Sequence, residues 1–297
     1  MVSRPGITVV IATVHRPDDL IDVLDSVLAC TYEHLDVVIV DQSDAFGRGR
    51  TDPRVRVHRP STPGLSAALN TGIRAAEGEL IAITGDDCVV DPDWLDQIAH
   101  TFEVNRRAAI AFGSVAAGPC DPSVGFVPGC SIEAEAVIET LHDVHRLSGT
   151  TACMALRRSA WSTLGGFDEH LGLGAPFHSA EDLDLALRAL RAGYPVLQTP
   201  QIHVEHRTPV RWEERSSVIR RNWFGSGAAF AKNLKLSPSP MAAALAKLTQ
   251  RWIAGGSGVA ATYGVEPDRG AMLAGFASGF VAGLVRPVDR RQQLFRP

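Results

Sequence analysis

Leu80, Ile81, Ala82, Ile83 and Thr84 form a short apolar run bounded by Gly78 and Gly85, and the run ends in two adjacent carboxylates, Asp86 and Asp87. A stretch this short and this uniformly apolar reads as a strand buried on both faces. Carboxylates in a core are costly, so the pair belongs at the strand's exposed carboxyl lip. In an open α/β sheet that lip is where ligands bind. Adjacent acids there can hold a hard cation, and the cation can hold a diphosphate. A solvated turn is the plainer reading of an isolated Asp-Asp pair, and the rest of the chain weighs against it.

Similar runs recur. Ile7 to Ala12 leads into the polar loop Thr13 to Arg16, Leu35 to Val40 ends at Asp41, Arg54 to His58 is a short third strand, and Ala108 to Val115 is another. Helical spacing separates them. Pro17, Asp18 and Asp19 suit a first helical turn, and Leu20, Val23, Leu24, Val27 and Leu28 supply its buried face. Leu65 to Ala76 reads as a helix stopped near Gly78, and Pro92, Trp94, Leu95, Ile98 and Phe102 mark a third. Strands alternating with helices predict a parallel, doubly wound α/β sheet. The polar residues after the first, second and fourth runs (Thr13 to Arg16, Asp41 to Asp44, Asp86 and Asp87) then share one edge, as in a nucleotide crevice. No Gly-x-Gly-x-x-Gly follows the first strand and no Gly-Lys-Ser/Thr loop occurs, which excludes a dinucleotide fingerprint and a P-loop. Pro119 to Leu147 reads as loops and a short helix over the site. Order returns at Thr151 to Arg157 and in the helix Ala180 to Ala192, with Leu183, Leu187 and Leu190 on one face. Glu181 and Asp182 sit in its first turn, where carboxylates favour the helix dipole whatever else they do.

At 297 residues the chain has room for about two domains, or one large domain with an extension. An apolar fraction of 45% and a charged fraction of 21% allow a sizeable core, and a net charge of -4 argues against a nucleic-acid partner. The five cysteines (Cys30, Cys88, Cys120, Cys130, Cys153) are odd in number and widely spaced. That pattern excludes a zinc ribbon and predicts reduced thiols. With no signal-peptide pattern and no window of about 18 to 20 apolar residues, the expectation is a cytoplasmic protein, soluble or attached to a membrane face.

Taken in order, these residues resemble the family 2 glycosyltransferases of GT-A fold, over roughly residues 6 to 230. Ile7 to Thr13 with Arg16-Pro17 looks like that family's opening strand and first nucleotide loop, and Val38-Ile39-Val40-Asp41 like its second strand. Gly64-Leu65-Ser66-Ala67 with Asn70-Thr71-Gly72-Ile73 resembles the helix beneath the donor. Gly85-Asp86-Asp87 and Asp91-Pro92-Asp93-Trp94-Leu95 resemble the metal-binding motif and the helix after it. Leu164 to Glu169 and Glu181-Asp182-x-Asp184 resemble the acceptor-side blocks. The resemblance implies a divalent metal, Mn or Mg, held by Asp87, Asp86 and His206, which stabilises charge on the departing diphosphate. It implies donor contacts from Thr13, His15, Arg16, Asp41, Ser43, Asn70, Asp86 and Asp87, and acceptor contacts from Trp94, Gly149 and Glu181, although Trp94 is most simply a core residue of its helix. Asp182 matches the general base of an inverting displacement, with Glu181 orienting the acceptor or tuning its neighbour. Three positions depart from the family pattern. Gly85 replaces a first carboxylate, Leu69 stands where Arg is frequent, and Asp41 is followed by Gln42-Ser43-Asp44.

Between Arg207 and Lys235 basic residues interleave with Trp212, Trp223 and Phe224, a pattern suited to a phospholipid surface or a lipid-phosphate acceptor. Gly225-Ser226-Gly227 is expected to break this stretch into a mobile flap. Two small-residue apolar segments follow, Met241 to Gly264 and Ala271 to Val285. The second carries Gly275, Gly279 and Gly283 at four-residue spacing. Packing on the catalytic domain, a homodimer, or a helical hairpin on the inner membrane face helped by Arg286, Arg290 and Arg291 are the uses they leave open. The expected division is a GT-A domain over 1–235 (a nucleotide-sugar half, about 1–118, and an acceptor half, about 119–235) and a helical extension over 236–297. The expected partners are a nucleotide-sugar donor and a glycan or lipid-linked acceptor. A non-catalytic sugar-nucleotide binder is the main rival. A nucleotidyltransferase is the weaker one, since Thr13 to Asp19 is not a Gly-rich triphosphate loop.

Overall fold

The computed structural model describes residues 4–43, 52–253 and 268–296. Asp44 of the second polar loop and residues 254–264 of the first C-terminal apolar segment lie outside the described residues. The first half of the chain forms β1 (Ile7–Thr13), α1 (Pro17–Leu28), β2 (Leu35–Asp41), β3 (Val55–His58), α2 (Leu65–Ala75), β4 (Leu80–Gly85), β5 (Cys88–Val90), α3 (Trp94–Val104) and β6 (Ile110–Ala117). Then come β7 (Gly125–Phe126), β8 (Ala136–Ile138), β9 (Cys153–Arg157), α4 (Arg158–Leu164), α5 (Glu181–Arg191), β10 (Val196–His206) and β11 (Val210–Arg211). Three helices, α6 (Arg215–Leu236), α7 (Pro238–Ile253) and α8 (Arg269–Val285), precede a last hairpin of β12 (Val288–Asp289) and β13 (Leu294–Phe295).

The main sheet runs β3-β2-β1-β4-β9-β6-β10-β5, with β8 added beside β10. Pairing is parallel across β3, β2, β1 and β4 and between β6 and β10. β9 lies antiparallel between β4 and β6, and β5 and β8 run antiparallel to β10. The uniform apolarity of β1 and β4 has the expected cause: Ile7, Val9, Val10, Ile11, Leu80, Ile81 and Ala82 are all 0% exposed. Helices cover both faces. Leu20, Val23, Trp94 and Phe102 of α1 and α3 pack on one side, and Leu69, Leu187 and Phe230 of α2, α5 and α6 belong to the core on the other. Each such side chain contributes about 1.5–3 kcal/mol on burial.

One expectation fails plainly. Gly225-Ser226-Gly227 does not break the chain into a flap, because α6 runs through it as one 22-residue helix. Each helical glycine costs about 1 kcal/mol relative to Ala. Here that cost is offset by close packing: a Cβ on Gly225 would strike Ser179, and one on Gly227 would strike the backbone of Phe276 in α8. The residues that follow, Ala228 to Asn233, are buried. The C-terminal hairpin, unread in the sequence, returns to the body of the protein, where the Phe295 N–H donates to Asp168 Oδ2 at 2.8 Å. No described helix is long and apolar enough to cross a membrane.

Candidate active site

The parallel strands β1 and β4 end side by side, with Ala12 opposite Gly85. That register brings the first polar loop to the two carboxylates: the Thr13 hydroxyl donates to Asp86 Oδ2 at 2.7 Å, and Arg16 Nη1 lies 2.6 Å from Asp87 Oδ2 and 3.4 Å from Asp86 Oδ1. β5 begins straight after Asp87 and pairs antiparallel with the end of β10, Cys88 opposite His206. His206 therefore reaches Asp87 across 119 residues of chain, Nε2 to Oδ2 at 3.2 Å, while its Nδ1 faces the Pro128 carbonyl at 2.8 Å.

Burial alone would push the Asp87 carboxyl up, but the hydrogen bond and charge of His206, with Thr208 and Arg16, hold it well below the usual carboxylate range. Burial would lower the His206 imidazole, and Asp87 outweighs it and raises the group. Asp86 is raised, first by burial and then by the charge on Asp87, against the Thr13 hydrogen bond.

Asp87, Cys88 and His206 are the one described group of three whose ligand atoms lie within 4.8 Å of one another. The Cys88 thiol is fully buried and pushed well above its ordinary value, so it stays protonated and is a poor ligand for a hard cation. A carboxylate and an imidazole with a second carboxylate beside them suit Mn or Mg when phosphate oxygens complete the shell. Arg16 already shows that this corner attracts a cation. Asp87 and His206 could hold a metal, with Asp86 adjacent. At position 85 a Cβ would come within 2.8 Å of Asp87 Oδ1, so the glycine makes room for that carboxylate's present position.

The second acidic group comes from the start of α5. The turn before it passes through two non-glycine residues with left-handed backbone, His178 (φ 62) and Ala180 (φ 68). Such residues cost of order 1–3 kcal/mol each and persist where the surroundings hold them. The turn aims Glu181 and Asp182 inward. Asp182 Oδ2 accepts from the Thr151 N–H at 3.2 Å and Oδ1 from the Leu183 N–H at 2.6 Å, and Glu181 Oε1 accepts from the Thr151 hydroxyl at 2.9 Å. Burial and the charge of Asp182 push Glu181 up to about 8, and burial raises Asp182 against its backbone hydrogen bonds. Both carboxyls are thus held above their ordinary range, and they give up their protons as a coupled pair.

One cavity of about 640 Å³ joins the two groups. Thr13, Arg16, Asp86, Asp87, Gly149, Glu181, Asp182 and His206, all singled out in the sequence, line it. Gly149 has φ +149, and any side chain there would collide with the Phe112 ring. Five of the expected contact residues fall elsewhere. Trp94, expected at the acceptor, is 1% exposed in the core at the start of α3 and does not line the cavity. Asn70, expected at the donor, is buried beneath the cavity: its Oδ1 accepts from the Phe167 N–H and its Nδ2 donates to the Phe167 carbonyl. Asn70 pins the 167–169 turn, a job for which an amide's paired donor and acceptor are suited. His15 is exposed, with φ 55, just outside the lining. Asp41 and Ser43 are buried behind the lip, Asp41 Oδ1 accepting from both the Ser43 N–H and hydroxyl, and Gln42 faces the cavity instead. Asp41 Oδ2 has no partner among the described residues, which leaves one buried acceptor at the end of β2.

Sequence reasoning missed Thr150, Thr151, Arg221, Asn222 and Ser226, which also line it. The last three come from α6, and only the basic character of that stretch hinted at them. Leu69, at the position where the resemblance makes Arg frequent, lines the cavity.

The profile of the family described as "Glycosyltransferase like family 2" matches residues 5–225. Among similar proteins is a glucosyl-dolichyl phosphate glucuronosyltransferase of Haloferax volcanii, 26% identical over 238 residues, covering 74% of this chain and 75% of that protein. A pre-mycofactocin glycosyltransferase of Mycobacterium tuberculosis is 28% identical over 232 residues, covering 68% of this chain and 43% of its own length. In three dimensions the chain resembles a mannosyltransferase from Pyrobaculum calidifontis solved with GDP-mannose and Mn2+, with TM-score 0.58 and 17% identity over 96% of this chain and 88% of that one. At that identity the likeness establishes the fold.

Proposed function

Since this chain belongs to the family 2 glycosyltransferases, we propose that it moves one sugar from a nucleoside-diphosphate sugar to a hydroxyl of a glycan or lipid-linked acceptor, by direct displacement with inversion. The observation that carries this reading is the single cavity in which a cation-attracting corner (Asp86, Asp87, His206, Arg16) and a buried acid pair (Glu181, Asp182) meet. A displacement needs both: stabilised charge on the leaving diphosphate and a base for the incoming hydroxyl.

Asp87 and His206, with Asp86 adjacent, would hold a divalent ion, and when bound that ion supplies electrostatic stabilisation of the diphosphate. Arg16 lies where its guanidinium can turn from the carboxylates to a phosphate oxygen, a bidentate match for that group. Asp182 accepts the acceptor hydroxyl's proton at a carboxylate oxygen; its raised proton affinity makes it a better base than an exposed aspartate. Glu181, its carboxyl raised by burial beside Asp182, is placed to hydrogen-bond and orient the acceptor. The Haloferax relative is named for a dolichyl-phosphate-linked substrate, which supports a lipid-linked acceptor here.

The test is Asp182→Asn, assayed for transfer and for nucleoside-diphosphate binding by thermal shift with and without Mn. Transfer abolished with binding intact supports the reading, and transfer at the wild-type rate would remove Asp182 from the mechanism.

A further inference from the structure

Helix α8 is apolar on all sides, and only one of those sides is covered by described protein. From Gly270 to Val285 it carries no charged residue, and Ser278 is its most polar side chain. Met272, Gly275, Gly279 and Gly283 are buried on one face, against α6: a Cβ on Gly275, Gly279 or Gly283 would strike the backbone of Arg220, Phe224 or Ala228 respectively. Leu273, Val281, Leu284 and Val285, on the opposite side of the helical wheel, are 55%, 61%, 43% and 78% exposed. A helix hydrophobic all round is buried in something. Single exposed apolar residues need no explanation, but four large ones aligned on one helix do.

The charges around this face identify what covers it. Arg269 and Arg286 bracket the helix, and Arg290 and Arg291 stand exposed on the turn beyond it. Over residues 268–296 there are five arginines against two aspartates, a surplus of three positive charges in a chain whose net charge is -4. Both aspartates are engaged locally, Asp268 as the cap of α8 and Asp289 in the hairpin turn. An apolar stripe between basic ends complements an anionic bilayer surface, with the stripe among the acyl chains and the arginines at headgroup level. A second copy of the chain complements it poorly, because parallel or antiparallel pairing of two such helices sets arginine against arginine. Spanning is ruled out by length: 17 residues extend about 25 Å, short of a hydrocarbon core of about 30 Å, and the inner face is occupied by α6.

We propose that the outer face of α8 (Leu273, Val281, Leu284, Val285), flanked by Arg269, Arg286, Arg290 and Arg291, is a docking surface on which the protein lies against an anionic membrane. The placement has a consequence for the cavity. α6, to which α8 is joined along its length, supplies Arg221, Asn222 and Ser226 to the cavity wall, so docking brings that wall close to the bilayer. The inference concerns the surface alone and stands whether or not the acceptor is lipid-linked.

The experiment is flotation of the full chain with vesicles of phosphatidylcholine alone and of phosphatidylcholine with one quarter phosphatidylglycerol. The variants are Val281→Glu with Leu284→Glu, and Arg290→Gln with Arg291→Gln, each checked for an unchanged melting temperature. The expected result is binding to the anionic vesicles that weakens as salt is raised. The glutamate pair should lose it by about tenfold or more, and the glutamine pair should lose the salt-sensitive part. Absence of binding to anionic vesicles, or glutamate variants that float like wild type, would overturn the proposal. A concentration-dependent dimer that the glutamate pair dissociates, with no vesicle binding, would assign the face to a second copy.

Discussion

Lys232 offers a sharp test of how the acceptor side of the protein is held. Its ammonium is 0% exposed, 2.7 Å from Asp168 Oδ2 and 2.8 Å from Asp184 Oδ1. Arg188 Nε donates to the other oxygen of Asp184 at 2.9 Å, and its remaining nitrogens donate to the carbonyls of Leu164 and Gly166. Asn233 donates to Asp184 and the Phe295 N–H to Asp168. Two carboxylates and two cations thus balance inside a fully buried network that ties together α5, α6, the 164–168 turn and the C-terminal hairpin. Lys232→Met keeps the side chain's bulk and removes one charge, so one carboxylate is left uncompensated. Asp184 keeps Arg188, so Asp168, left with His170 and the Phe295 N–H, is the carboxylate that loses its ammonium partner. Breaking a buried pair from one side costs about 3–5 kcal/mol, far below the bare low-dielectric Coulomb figure of roughly 20 kcal/mol, because proton uptake and relaxation intervene. For a chain of this size that is a fall in melting temperature of roughly 5 to 8 °C.

The pH dependence supplies an independent check. Burial would push the Asp168 carboxyl up, but the His170 hydrogen bond, the Lys232 charge and the Phe295 N–H hold it below the usual range. An acid whose folded pKa is depressed stabilises the fold fully above its unfolded value of about 3.9, and that contribution is lost as pH falls through the folded value. Without Lys232 the folded value rises, so the variant's deficit is largest at neutral pH and narrows below about pH 4. Adding Asp168→Asn to Lys232→Met restores charge balance, and urea melts at pH 7 should show most of the loss recovered. A Lys232→Met deficit under about 1 kcal/mol, or no recovery in the double variant, would refute the claim that this network is electrostatically closed.

Asp182→Asn should lower kcat by about 10²–10⁴ while leaving the nucleotide-induced thermal shift unchanged. In Arg16→Gln, calorimetry should find Mn binding in the absence of nucleotide tighter than in wild type, because the competing guanidinium is gone, and nucleoside-diphosphate binding weaker; weaker Mn binding would contradict the pairing described. Glu181 rises from 4.5 to about 8 on folding, so the unfolded chain releases that proton first and wild-type stability falls as pH climbs between the two values. Glu181→Gln lacks this fall, and its melting temperature relative to wild type should increase across that window and level off above it. Gly279→Ala should destabilise by about 1–3 kcal/mol despite alanine's better helix propensity, since its methyl meets the Phe224 backbone; a stabilised variant would mean α6 and α8 do not touch there.

Much of the architecture is legible in the chain before any coordinates. Apolar runs short enough to be only strands, alternating with amphipathic helices, already demand a wound sheet, and carboxylates at a strand's end already demand an edge. These are local facts: side-chain period and the cost of burying charge act within a few residues. The direction of β9 was not legible, because a strand buried on both faces looks the same whichever way it runs. Glycine misled in α6, where its role is to let two helices touch, a relation between residues some fifty positions apart. Asn70 stands in a block that resembles the helix beneath the donor, yet packing put its side chain under the floor, while Trp94 lies in the core as its helical spacing most simply suggests.

The sequence by itself determined which residues carry charge at the sheet edge, and therefore what chemistry the edge can attract. Only the tertiary structure decided which of them meet. His206 faces Asp87 because β5 and β10 pair antiparallel, and Asp182 shares a cavity with both because α5 is held from behind by Lys232, Asp168 and the returning C-terminal strand. Those distances are set by packing between segments far apart in the chain, where composition and periodicity carry no information, and it is at such distances that proton transfer and cation binding are decided.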